Sequence, residues 1–140
     1  MPLLRWLLML PAAISAWYLA LAAGIALHGS LLRFCPPDQV VSGWCAAPWH
    51  RYASQAVVCM GAGLAATMVL LICAWLAPTH KRQVAITTYL IGAVVACMMG
   101  MAATAYAAMA SALLAGAVIL ALILHRLTRE RAGERAISRS

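Results

Sequence analysis

VAITTYLIGAVVACMMGMAATAYAAMASALLAGAVILALIL, residues 84–124, runs for 41 residues without a charged side chain or a proline. As one helix it would be about 60 Å long at 1.5 Å per residue. That is twice the roughly 30 Å hydrocarbon thickness of a bilayer. Two helices joined by a turn fit the length, so the stretch reads as a membrane hairpin. Its turn is expected within residues 102–106, with spans at about 84–102 and 106–125. Composition agrees: 66% of the chain is hydrophobic and 9% charged, against about 45–50% and about 25% in soluble domains.

Upstream lies a short basic turn, Pro78-Thr79-His80-Lys81-Arg82, and before it an uncharged second span over residues 55–77. A first span over 6–27 is headed by Arg5 and carries Pro11 in its early turns. Arg5, the apolar run and Ala20-Leu21-Ala22 imitate a secretory leader. The run is longer than the 7–15 or so residues of a secretory apolar region, so it is expected to remain as a helix of the mature protein. The expected architecture is a single all-α membrane domain over residues 1–140. It is a four-transmembrane-helix bundle with a disulfide-stapled extracytoplasmic loop at 28–54 and a basic tail at 126–140.

The net charge of +7 does not point to nucleic acid, because it is not gathered on one patch. Arg5, Lys81, Arg82, Arg126, Arg129, Arg131, Arg135 and Arg139 flank spans, leaving Arg33 and Arg51 in the loop. Excess Lys and Arg on one side marks the cytoplasmic face. Both termini and the basic turn are therefore expected in the cytoplasm and the loop outside; the Ala-rich composition of a small chain points to a bacterial inner membrane. The tail arginines suit anionic membrane lipids, at about 1 kcal/mol per basic residue near the surface.

Inside the loop, CPPDQVVSGWC (35–45) places two cysteines around turn-forming Pro36-Pro37 and Ser42-Gly43. A Cys35–Cys45 disulfide is expected, closing a ring that stabilises by about 2–3 kcal/mol. The C-x-x-C spacing of catalytic thiol pairs is missing, although a redox pair and free thiols are the alternatives. His28 and His50, with Asp38 and the cysteines, lack the short ligand pairs of zinc sites. Cys97 and Met101 share a helical face and offer soft ligands suited to Cu(I). The plainer reading makes the histidines interfacial and the methionines gap-fillers. No metal or cofactor is expected.

Small residues recur at four-residue spacing: Ala16, Ala20 and Gly24 in the first span, Ala62 and Ala66 in the second, and Gly92, Ala96 and Gly100 in the third. Such ridges let helices approach closely in lipid, and a compact bundle is expected from them. Trp17 and Tyr18 fall mid-span, where interfacial aromatics do not belong. They read as void fillers, or as one wall of a lipid or quinone groove.

Chemistry is scarce. The acids are Asp38, Glu130 and Glu134, none within a span. The sequence thus lacks the membrane carboxylate that proton relays use, and it shows no phosphate loop or Ser-His-Asp set. An enzyme is not expected. The expectation is an accessory or assembly subunit that binds another integral membrane protein, or itself as a homo-oligomer. Trp44, Trp49, Asp38 and Arg51 are its candidate contact residues. The alternatives are an immunity protein against a membrane-directed toxin and a thiol-redox or copper-handling protein. Finally, the 102–106 tip has little suited to water, so the loop is expected to fold over it, with Trp44 or Trp49 near Thr104 or Tyr106.

Overall fold

A computed structural model describes the backbone of residues 2–77 and 79–137 and the side chains of 6–77 and 79–130. Pro78 of the basic turn lies outside the described residues, and so do the side chains of Arg5, Arg131, Glu134, Arg135 and Arg139. Four helices dominate: α1 (Pro2–Leu31), α2 (Pro48–Leu76), α3 (Lys81–Ala102) and α4 (Tyr106–Ile137). Each contains a segment long and apolar enough to cross a membrane, the hallmark of a multi-pass membrane protein. α4 continues through Gly133 to Ile137 without a break.

α2 is the hub. It packs along α1 and α4 and more lightly on α3, while α3 leans on α4. What joins α1 to α3 is a small cluster beside the basic turn, where Cys73, Ala77 and Val84 meet Met9 and Ala13. Away from that cluster α1 and α3 scarcely touch, so the bundle is less compact than the small-residue ridges imply. Ala16 and Ala20 are buried at 2% exposure each. Gly24 and Gly61 bring the α1 and α2 backbones together: a Cβ on Gly61 would lie 3.9 Å from the Gly24 Cα.

The loop between α1 and α2 is stapled. Cys35 and Cys45 are disulfide-bonded with Cα atoms 5.9 Å apart, within the usual bridging range. Cys59, Cys73 and Cys97 are free thiols. Inside the ring, β1 (Val40–Val41) and β2 (Trp44–Cys45) form a minimal antiparallel ribbon, Val41 opposite Trp44. Ser42 and Gly43 connect them with φ of 50° and 81°. Two successive left-handed residues match the twist of a two-residue hairpin. α2 begins at Pro48, well before Gln55, with the proline in the first turn, where its missing N–H costs nothing.

The α3–α4 hairpin turns at residues 103–105, inside the expected window. Its geometry is a Schellman motif. Thr104 adopts φ of 51°, its N–H donates to Met101 O at 3.3 Å, and Ala105 N–H donates to Gly100 O at 2.9 Å. This disposes of the expected lid. Ala102, Ala103 and Thr104 are exposed, Tyr106 is 59% and Trp44 73% exposed, and the loop's strands pair with each other. The physical reason is that the turn satisfies the end of α3 from its own backbone and needs no cover.

Candidate functional site

Because α1 and α3 diverge from their shared cluster, a slot opens between them, floored by α2 and α4. It is an apolar groove of about 630 Å³, within the size range of about 300–1,000 Å³ typical of ligand pockets. Trp17 and Tyr18 form the α1 wall, Ala62, Ala66 and Leu70 the α2 floor, and Gly92, Ala96 and Met99 the α3 wall. On α3 the lining runs from Thr88 to Gly100, about 18 Å of helix at 1.5 Å per residue.

The floor is tight. Ser111 on α4 donates its hydroxyl to Cys59 O on α2 at 2.9 Å and to Ala108 O in its own helix at 2.8 Å. One turn away, a Cβ on Gly63 would stand 3.4 Å from Ala115 Cβ. Small side chains at these crossings let the two backbones close up, as membrane helices do in the absence of a hydrophobic force between them. Tyr89 stacks over Gly116, where a Cβ would lie 3.0 Å from the ring, and its hydroxyl donates to Leu113 O at 3.4 Å. At the hairpin end, Gly100 leaves room for Met109, whose Cβ would be 2.6 Å from a side chain there.

The walls are different. Nothing lies within 4 Å of where a Cβ on Gly92 would stand, and Ala96 beside it is half-exposed. Of the α3 ridge, then, Gly100 packs against its neighbour while Gly92 and Ala96 line open space. Trp17 and Tyr18 meet edge to face with centroids 5.0 Å apart. They are groove wall and partly exposed surface, not buried fillers.

The remaining sequence candidates fall into two places. Trp44, Asp38 and Arg51 are exposed on the loop and the start of α2, with Trp49 nearby at 40% exposure. His28 and His50 come together where α1 ends and α2 begins, with ring centroids 6.3 Å apart. Ser54 Oγ lies 3.4 Å from His28 Nδ1. His50 is 8% exposed, and its Nε2 is buried without a hydrogen-bond partner among the described residues. Such an orphan costs about 1–3 kcal/mol unless something meets it. Among the described residues, no three His, Cys, Asp or Glu side chains gather into a metal-holding group, so Cys97 does not join the two histidines.

The sequence pattern of the third helix missed what its neighbour does. Ser111, Ala115 and Gly116 on α4 lie at close crossings with α2 and α3, and their signal was small residues at spacings of one to five. No family model, curated protein or solved structure matches the chain.

Proposed function

We propose that this chain is a non-catalytic accessory or assembly subunit that receives a transmembrane helix of a larger membrane protein in the α1–α3 slot. The observation that carries the reading is the uncovered small-residue wall of α3, with open space around Gly92. In lipid, small residues matter because they let a neighbouring backbone come close, and here they face a slot with no helix in it. The slot's lining is almost wholly apolar, with Thr88 and Tyr89 its only side-chain hydroxyls besides Tyr18. A groove of that kind suits docking, and its only titratable side chains among the described residues are the phenols of Tyr18 and Tyr89. The exposed Trp44 on the stapled loop adds a second contact of the type that anchors interfaces.

We place both termini in the cytoplasm on the distribution of Lys and Arg, and take the membrane to be a bacterial inner membrane on the Ala-rich composition of a small, compact chain. Thiol labelling of Asp38→Cys in intact cells tests the orientation; labelling from the cytoplasmic side alone would reverse it. Docking is tested by a photo-crosslinking residue at position 96 in native membranes, with position 75 as control because Trp75 is 81% exposed. The expected result is a discrete adduct with another membrane protein from position 96 and none from position 75. An adduct with a second copy of this chain, or with lipid alone, would overturn the reading.

A further inference from the structure

The two histidines stand apart from the slot. His28 occupies the last turn of α1 and His50 the first turn of α2, and Ser54 lies one turn beyond His50 on the same helical face. We propose that His28 and His50 together hold a late transition-metal ion, copper ahead of zinc, between the loop-side ends of α1 and α2.

Three observations carry this. First, the rings are spaced for a shared ion: their centroids are 6.3 Å apart with planes at 60°. An ion about 2.1 Å from a nitrogen of each ring holds the centroids at most about 6.4 Å apart, so a shared ion lies nearly in line between the two nitrogens, a trans placement that suits square-planar copper and not tetrahedral zinc. Second, His28 has the second-shell arrangement of a ligand. A metal-bound histidine normally commits its other ring nitrogen to a nearby partner, and Ser54 Oγ engages His28 Nδ1 at 3.4 Å, leaving Nε2 for the ion. Third, Nε2 of His50 is buried and, among the described residues, unpartnered, in a side chain 8% exposed. A metal ion gives that lone pair its partner.

Among the described residues no carboxylate or thiol joins the pair, and Cys35 and Cys45 are locked in their disulfide. Two imidazoles then supply the protein ligands, and water or a small ligand takes the other positions. Such a site has one protein ligand fewer than an open catalytic zinc site and two fewer than a closed structural one. Imidazole accepts both ions, and copper outranks zinc in intrinsic affinity. The site bridges the two helices, so occupancy stabilises the fold by mass action.

The test uses full-length, tag-free protein in detergent, stripped with a chelator. Cu²⁺ is titrated by calorimetry with pulsed EPR detection of coordinated imidazole nitrogen, and Zn²⁺ in a parallel arm. One equivalent of Cu²⁺ is expected, bound more tightly than Zn²⁺. His28→Gln and His50→Gln should each weaken it by more than the roughly 10–100-fold that losing an outer-shell partner costs, and Ser54→Ala should fall within that range. His80→Gln and a Cys59, Cys73, Cys97 triple serine variant should bind as the parent does. His28 is only half-buried, so His28→Gln keeps the test valid should His50→Gln fail to fold. Absence of stoichiometric uptake of either ion at micromolar concentration, or uptake undiminished in His28→Gln, would overturn the proposal.

Discussion

Replacing Gly100 with alanine tests the α3–α4 crossing directly. A Cβ at residue 100 would sit 2.6 Å from Met109 Cβ and 3.0 Å from its Cγ. Carbon atoms prefer about 3.5–4.0 Å, so the helices must part by roughly an ångström. They would part at the residue whose carbonyl accepts the Ala105 N–H at 2.9 Å, which strains the turn as well. Overpacking of this kind costs about 1–3 kcal/mol, and the upper half of that range is expected because the nearest atom is a Cβ, fixed to its backbone. Second-site variants sharpen the test. Met109→Ala keeps the offending Cβ and should leave most of the penalty in place. Met109→Gly removes it and should recover the loss, less the roughly 1 kcal/mol by which glycine weakens a helix interior. Reversible unfolding in mixed micelles, followed by far-UV circular dichroism, gives the four stabilities of each cycle. A Gly100→Ala variant within about 0.5 kcal/mol of the parent, the ordinary scatter of surface changes, would refute the argument. So would equal rescue by the two Met109 variants.

Thr104→Gly should stabilise the hairpin by about 1 kcal/mol, because a left-handed φ of 51° strains an L side chain by about 1–2 kcal/mol, part of which glycine's greater unfolded-state freedom takes back; a lowered melting temperature would contradict this. Ser111→Ala removes the bond from α4 to Cys59 O and should cost about 0.6 kcal/mol, the average for such bonds between membrane helices, measured by the same unfolding assay. Cys35→Ala, Cys45→Ala and the double variant should each lose about 2–3 kcal/mol. Additive losses, with the double near twice the single, would show that the two sulfurs act separately.

Most of the scaffold was legible because lipid makes simple demands. The uncharged run at 84–124 had to fold back, and it turns at 103–105. The ring of Cys35 and Cys45 followed from their spacing and the turn residues between them. The start of α2 was readable too, since Pro48 is a first-turn proline, but the polar side chains around it drew the expected boundary on to Gln55. The lid failed for a different reason. Side-chain composition made the tip look in need of cover, whereas hydrogen bonding there is settled by backbone, through a left-handed threonine that no sequence pattern favours. Open and closed small-residue faces are equally invisible in sequence: Gly92 and Gly100 share one ridge, yet only Gly100 has a neighbour. The pairing of His28 with His50 depends on where two helices end.

The hairpin tip also bears on how the chain enters its membrane. Moving a charged residue into the centre of a bilayer costs roughly 2.5–3.5 kcal/mol on insertion scales. The loop between α1 and α2 imposes that toll with Arg33 and Asp38, whereas nothing in residues 84–124 is charged. With Thr104 and Ala105 bonded back into α3, the polar demand of the tip shrinks largely to the free N–H groups that begin any helix. A hairpin of residues 84–124 therefore presents no charged side chain to a bilayer, unlike the loop between α1 and α2.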